Sequence, residues 1–232
     1  MQCDTCHAGC CRSYNICITV TDVLRVARDL HLAPAEFTEF KAVQASDAAD
    51  FERQTEAIHF SDPGAEKTRF FLTLRRVPSV LGPGSVRCIF LHEWERTIPV
   101  AERGTHPGAR VIARCSIYPS RPLMCRLYPS TTDAAGLLAY LRKPPTSSLS
   151  GTHAFYEVCP EDWSAPDFAS DFDEVLQNHA RDKYEWAFQK LAISKWNKAP
   201  GLQADFFPLM EKAYQARLVA AGDRWSEVFD KR

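Results

Sequence analysis

The sequence lacks several features that would place a protein in a large, familiar class. None of its 232 residues lies in a stretch approaching the roughly 20 apolar residues of a membrane span. Its first residues, MQCDTC, have neither the basic region nor the apolar run of a secretory signal. We therefore expect a cytoplasmic protein that does not bind membranes.

A strong excess of charge of one sign is also missing. The chain has 28 Lys and Arg against 29 Asp and Glu, so its formal net charge is −1. Such a balance gives no basic field to gather nucleic acid or an anionic membrane. The short basic groups Arg75-Arg76 and Arg142-Lys143 are expected to be solvated, and nucleic acid is not an expected partner.

Three common catalytic signatures are absent. The sequence contains no G-x-G-x-x-G for a dinucleotide, no G-x-x-x-x-G-K-[ST] for a nucleoside triphosphate and no G-x-S-x-G nucleophile elbow. Kinases and serine hydrolases are therefore not indicated. No catalytic residue is predicted.

The nine cysteines do not suit a disulfide framework. Their number is odd, and they make up about 4% of the chain, below the roughly 8–10% of disulfide scaffolds. A chain of this length with 45% hydrophobic residues can also bury a core without covalent links.

Most of the cysteines are instead concentrated in two segments. They are Cys3-x2-Cys6-x3-Cys10-Cys11 near the start and Cys115 with Cys125 much later. Thiolates select zinc, copper(I) or iron–sulfur centres, and a Cys-x2-Cys pair can bend round one ion. We expect the two segments to meet at one metal site, with Cys88 and Cys159 as further candidate ligands.

The adjacent Cys10 and Cys11 need separate treatment. Neighbouring side chains diverge by about 100° on a helix and about 180° on a strand, so both are not expected to reach one small ion. The pair would serve two metals of a cluster, two sites, or one ligand position and one buried thiol. Cys17, between two isoleucines, is expected to be a core residue.

Periodicity predicts helices towards both ends of the chain. Thr19-Val-Thr-Asp22 has the form of a capping box, and Pro34 fits the first turn of a second helix that runs through about Val43. Further helices are predicted over residues 171–196 and 206–220.

Strands are predicted in the middle of the chain, at residues 68–77, 86–94, 110–113 and 137–141. The sequence Pro-Ser-Val-Leu-Gly-Pro-Gly at 78–84 is predicted to form the turn between the first two. Residues 95–108 are predicted to be a long loop and residues 144–148 a linker. The expected fold is α+β, with a small strand layer and cysteine-rich metal-site loops covered by N- and C-terminal helices. Residues 1–160 would form the metal-binding domain, and residues 161–232 a helical extension packed on the same core.

Together these motifs resemble one known family. The residues concerned are CxxC-x3-CC at 3–11, Thr21-Asp22, Cys88-Ile-Phe-Leu91, Cys115, Tyr118, Arg121-Pro122, Cys125-Arg126, Tyr128-Pro129 and Cys159-Pro160. The pattern resembles the YkgJ-type CxxCxxCC proteins, a zinc- or iron-chelating family that is itself similar to flagellin lysine-N-methylase. The link from Leu91 to Cys115 is longer than usual in that family, and residues 161–232 lie outside the pattern.

The resemblance implies a set of metal-binding cysteines, which are Cys3, Cys6, Cys10, Cys11, Cys88, Cys115, Cys125 and Cys159. Arg121 and Arg126 flank Cys125 and are candidate cofactor-binding residues, because guanidinium groups would offset thiolate charge and orient the sulfurs. In the alternative interpretation, Arg121-Pro122 pins a turn and Arg126 pairs with a surface carboxylate. His7 either completes the site or lies in a solvated loop.

Two functions of different classes fit these residues. The first is a metal-binding protein that holds an iron–sulfur cluster or zinc, with the cluster preferred because adjacent cysteines and flanking arginines suit a charged polynuclear site. The alternative, by analogy, is a protein-modifying enzyme such as a protein lysine N-methyltransferase. The expected partners are a metal ion or cluster and a protein partner or substrate.

Overall fold

A computed structural model describes residues 9–44, 56–96, 110–127, 131–132, 138–139 and 172–220. The chain divides into two compact units. Met1–Ile16 and Leu74–Ala180 form the first, which we name the cysteine unit, and Cys17–Thr73 and Arg181–Arg232 form the second, which we name the aromatic unit. The predicted domain boundary at 160 and the predicted linker at 144–148 lie outside the described residues.

The α+β class is confirmed, since runs of helices at both ends of the described chain flank a run of short, antiparallel strand pairs. The helices are α1 (Gly9–Ser13), α2 (Val20–Leu30), α3 (Pro34–Phe37), α4 (Leu123–Leu127), α5 (Phe172–Trp196) and α6 (Gln203–Ala220). The strands are β1 (Thr38–Ala42), β2 (Phe70–Leu74), β3 (Arg76–Pro78), β4 (Val86–Cys88), β5 (Leu91–Arg96), β6 (Arg110–Cys115), β7 (Thr131–Thr132) and β8 (Leu138–Ala139). The described strands form four separate two-stranded sheets, each made of consecutive strands: β1-β2, β3-β4, β5-β6 and β7-β8.

In the cysteine unit, two antiparallel pairs end at cysteines. Strand β3 pairs with β4, which places Arg76 opposite Cys88. Strand β5 pairs with β6, which places Leu91 opposite Cys115. The predicted turn between β3 and β4 is confirmed, and its Gly84 has a φ of 78° that favours glycine.

The aromatic unit is built round a cluster of rings. Phe206 is fully buried, and its ring centroid lies 5.3 Å from those of both Phe40 and Trp196, at nearly perpendicular angles. Phe60 adds edge contacts to Phe40 and Phe206. Edge-to-face pairs of this kind stabilise a core beyond the area that they bury.

The first predicted helix of the aromatic unit is confirmed. The Thr19 hydroxyl accepts a hydrogen bond from the Asp22 backbone N–H at 3.1 Å and so caps α2. The second predicted helix is much shorter than expected, because it ends at Phe37 and residues 38–42 form β1. Pairing with β2 and packing of the half-buried Phe40 ring against Phe60 outweigh the helical signal that begins at Pro34.

Both predicted central strands are interrupted. Residues 68–77 contain β2 and β3, and residues 86–94 contain β4 and part of β5. A turn at Ile89 and Phe90 separates β4 from β5, so that β4 pairs with β3 while β5 pairs with β6. Sequence composition identifies these residues as extended but does not give their partners.

The helices and strands predicted from residue 110 onwards are largely confirmed. The helices predicted at 171–196 and 206–220 correspond to α5 and α6, and the strand at 110–113 corresponds to β6. Of the strand predicted at 137–141, the described residues 138–139 form β8, and the others lie outside the described residues. Most of the predicted loop at 95–108 lies outside the described residues. Within the described ranges, no helix combines the length and the apolar character that crossing a membrane requires.

Candidate metal centre

Five of the eight cysteines implied as ligands are described, and all of them belong to the cysteine unit. We call them the cysteine cluster: Cys10, Cys11, Cys88, Cys115 and Cys125. Cys88 is buried, and the other four are half-buried. Cys3, Cys6 and Cys159, together with His7, lie outside the described residues.

Helix α1 carries the adjacent Cys10 and Cys11. Their sulfurs lie 4.0 Å apart. Sulfurs bound to one tetrahedral ion at about 2.3 Å are separated by roughly 3.8 Å, so the observed spacing is close to that required by a single ion. The two rotatable thiols therefore turn towards each other more than the predicted divergence implies, while whether both bind one ion stays a prediction.

Cys88 lies at the end of β4, where its surroundings shift the pKa of its thiol in opposite directions. Burial raises the pKa of Cys88 to about 11, while the Phe90 backbone N–H donates a hydrogen bond to the sulfur and the Arg76 charge lowers the pKa. The negative charges of Cys115 and Cys10 raise it further. A buried thiol with a ready donor and a nearby cation becomes a stable thiolate once a metal replaces its proton.

Cys115, at the end of β6, has the same surroundings. Burial raises the pKa of Cys115, while the Ile117 backbone N–H donates to the sulfur and the Arg121 charge lowers the pKa. In both cysteines the donor is the backbone N–H two residues further along the chain. The two strand ends thus present sulfurs in matching local settings.

The thiols of the early and late cysteines interact with one another. The hydrogen bond that Cys11 shares with Cys10, then burial, raise the pKa of Cys11 well above its ordinary value. The charges of Cys88 and Cys125 add to this increase. Cys125 therefore lies within electrostatic range of the N-terminal pair, although more than a hundred residues separate them in sequence.

The two arginines predicted to bind the cofactor hold the turn that follows Cys115. The Arg121 guanidinium lies 3.7 Å from the centroid of the Tyr118 ring, and its Nε donates to the Tyr118 carbonyl at 3.1 Å. Arg126 donates to the carbonyls of Arg121 at 3.0 Å and Pro119 at 2.6 Å. These contacts stabilise the turn, as the alternative interpretation expected for Arg121. A direct role for either side chain at the sulfurs stays a prediction.

Sequence reasoning missed Arg76. Arg75 is exposed as expected, but Arg76 is half-buried and donates to the carbonyls of Arg12 and Val86. Its charge also acts on Cys88. Only the β3-β4 register, which sets Arg76 opposite Cys88, distinguishes the two arginines, and the sequence does not supply that register.

Cys17 differs from the cluster in both place and surroundings. It belongs to the aromatic unit, is half-buried and forms a bridge with Thr73. It also lines a small cavity with Ile58 and Trp186. These neighbours agree with a structural role in the core of that unit.

The described donors fit a zinc or iron centre in kind, and the Cys10–Cys11 pair also fits in spacing. Several sulfurs interact, and one pair has nearly the separation that a tetrahedral ion imposes. In the part of the chain that the structure describes, no three cysteine, histidine or acidic side chains are set together at metal-binding geometry. The described cysteines thus supply soft donors, and Cys3, Cys6 and Cys159 lie outside the described residues.

The comparisons with known proteins agree with this chemistry. A family model described as "CxxCxxCC: Putative zinc- or iron-chelating domain" matches residues 2–160. No curated protein and no solved structure gives a significant match to the chain.

Proposed function

The chain belongs to the CxxCxxCC family of zinc- or iron-chelating domains, and we propose that it is a cytoplasmic protein whose cysteines hold an iron–sulfur cluster or zinc. The iron–sulfur cluster is preferred. The proposed ligands are Cys3, Cys6, Cys10, Cys11, Cys88, Cys115, Cys125 and Cys159. Metal binding follows from the family, whereas the kind of centre and the ligand set are the proposal.

One observation carries this proposal: Cys88 and Cys115 come from distant segments, interact electrostatically and have matching surroundings. Each sulfur accepts a backbone N–H and lies near an arginine, although burial opposes ionisation of the thiol. Such donors stabilise a thiolate, and hydrogen bonds to sulfur are among the factors that tune iron–sulfur centres.

The charge of the surrounding chain supports a polynuclear centre. Residues 9–16, 74–96 and 110–127 contain no lysine, the two glutamates Glu93 and Glu95, and nine arginines, namely Arg12, Arg75, Arg76, Arg87, Arg96, Arg110, Arg114, Arg121 and Arg126. Bound thiolates each bring a negative charge that this excess offsets. Eight cysteines also exceed the four ligands of a single structural zinc ion.

Anaerobic purification followed by elemental analysis, sulfide determination and an absorption spectrum tests the proposal. Iron and inorganic sulfide in matching amounts, with visible charge-transfer absorption, are the expected result. Zinc without sulfide would replace the preferred centre by the second one. Folded protein that carries no metal and has paired disulfides would refute metal binding altogether.

Neither the family description nor any contact among the described residues favours methyl transfer.

A further inference from the structure

A buried carboxylate, Glu93, lies at the centre of the polar contacts in the cysteine unit. Its side chain is fully buried on β5. It accepts hydrogen bonds from Arg12 Nε at 2.8 Å, from the Ser79 hydroxyl at 2.9 Å and from the Val80 backbone N–H at 3.0 Å. Arg87 Nε forms an ion pair with it at 3.1 Å.

The two arginines that Glu93 holds are the chain neighbours of two cluster cysteines. Arg12 directly follows Cys11, and Arg87 directly precedes Cys88. The backbone carbonyl of Arg12 accepts a hydrogen bond from Arg76, and Arg87 donates to the carbonyls of Cys88 and Leu91. A single carboxylate thereby connects α1, the β3-β4 turn, β4 and β5.

We propose that Glu93 is a positioning residue of the metal site, which fixes Cys11 and Cys88 relative to each other by holding their neighbouring arginines. This inference rests on the proposed function. Glu93 does not act as a ligand, because Arg12, Arg87, Ser79 and Val80 already occupy its oxygens. Burial raises the pKa of Glu93, but the hydrogen bonds from the Val80 backbone N–H, Arg12 and Ser79 hold it below its ordinary value, so the carboxylate is charged.

Positioning and simple electrostatics make opposite predictions for this residue. A negative charge beside thiolates disfavours them, so Glu93→Gln would strengthen metal binding if only through-space charge mattered. If Glu93 sets the sulfur positions, the same change releases both arginines and weakens binding. Loss of a residue that orients metal ligands typically costs about 10–100-fold in affinity.

The chain offers a matched control in the aromatic unit. Glu185 is also buried and charge-paired, since its two oxygens accept from Arg217 at 3.0 and 3.1 Å and from the Thr21 hydroxyl at 2.5 Å. Glu185→Gln removes an equivalent buried charge from a region that holds no cluster cysteine. It therefore reports the general cost of losing a buried glutamate.

The test measures Zn²⁺ affinity of the full-length protein by competition with a chromophoric chelator, with Co²⁺ absorption as a measure of thiolate geometry. Glu93→Gln should lower Zn²⁺ affinity about 10–100-fold and alter the Co²⁺ bands, whereas Glu185→Gln should leave both unchanged. Equal effects of the two variants, or tighter binding by Glu93→Gln, would overturn the inference. If Glu93→Gln does not fold, Ser79→Ala decides, because it keeps every charge; a several-fold loss of affinity is expected, and none would contradict positioning.

A second measurement separates this inference from the proposed function. Alkylation rates of Cys11 and Cys88 in metal-free protein, followed by mass spectrometry, should rise in Glu93→Gln and not in Glu185→Gln. If wild-type protein binds no Zn²⁺ and no iron, the proposed function fails, yet these rates still judge the role of Glu93. Unchanged alkylation would then reject it.

Discussion

The two units of this protein use different interactions to order their residues. The largest fully buried side chains of the described residues, among them Phe37, Phe60 and Phe206, belong to the aromatic unit with the single exception of Leu91. The cysteine unit instead has short strand pairs, a buried Glu93 held by arginines and clustered thiols. Apolar burial is thus concentrated in the aromatic unit, and we expect the energy of metal binding to contribute more to the stability of the cysteine unit.

The largest effect expected is loss of metal on removing a cluster thiol. Cys115→Ser should remove most of the bound metal and lower the melting temperature, because apparent binding free energies of about 10–16 kcal/mol for structural zinc become folding energy. Elemental analysis and calorimetry of the same sample measure the two effects. Cys17→Ser is the control, and it should keep the metal with a mild loss of stability. Metal retained by Cys115→Ser but lost by Cys17→Ser would reverse the contrast between the units.

The aromatic unit should respond to a cavity instead. Phe206→Ala is expected to lower the free energy of unfolding by about 3–5 kcal/mol, since it removes a fully buried ring that touches several others. Metal content per folded molecule should not change. Leu209→Ala on the same helix is the control, because Leu209 is 46% exposed and its truncation should cost no more than about 0.5 kcal/mol. Loss of metal from folded Phe206→Ala would remove the distinction between the units.

The aromatic unit also contains an acid that makes its stability depend on pH. Burial raises the pKa of Asp182 to about 7, and the charges of Asp22 and Glu185 contribute, while the Trp186 indole N–H opposes them. The folded state therefore holds a proton that the unfolded state, with an Asp pKa of about 3.9, has lost. Stability should fall as pH rises from about 4 to about 7 and then level off.

Asp182→Asn tests this dependence because the amide oxygen still accepts from Trp186 Nε1, which lies 3.1 Å from Asp182 Oδ1. The variant should be more stable than wild type by about 2 kcal/mol above pH 7, since each pKa unit corresponds to about 1.4 kcal/mol and solvent screens part of it. The difference should vanish towards pH 4. Urea denaturation at several pH values measures it. A constant difference across this range would show that Asp182 does not titrate as described.

The smallest effect expected is at the cap of α2. Thr19→Ala should cost about 1 kcal/mol, because it removes the hydroxyl that accepts from the Asp22 N–H. Thr19→Ser keeps that hydroxyl and should recover most of the loss. Equal destabilisation by both substitutions would assign the effect to the buried methyl group instead of the cap.

Local signals in the sequence predicted much of the fold. The Thr19 cap, the Gly-containing turn before Ser85 and the two C-terminal helices depend on neighbouring residues, and all are present. Strand partners depend on residues far along the chain, so the interruption near Phe90 and the conversion of residues 38–42 to a strand were not predictable from composition. Pairing energies between distant segments decided both cases.

In the candidate site, too, local signals were readable from the sequence and long-range contacts were not. Family resemblance and spacing pointed to the cysteines as candidate ligands, because a cysteine motif is recognisable without knowledge of the fold. Arg76 and Glu93 were missed because an arginine or a glutamate on an alternating strand looks like any solvated residue. Only the register of β3 with β4, and burial of the β5 face that carries Glu93, give these two residues their contacts. The sulfurs of Cys10 and Cys11 lie closer than ideal side-chain directions suggest because those directions ignore rotation about χ1.

X-ray absorption at the metal edge of anaerobically purified full-length protein tests the central claim most directly. A first shell made mainly of sulfur, at about 2.3 Å, is predicted for wild type, with an iron–iron distance if the preferred iron–sulfur cluster is present. Cys115→Ser should lose that shell together with the metal, and Cys17→Ser should preserve it. A shell of nitrogen and oxygen in wild type, or a sulfur shell unchanged in Cys115→Ser, would contradict a metal held by the cysteine cluster.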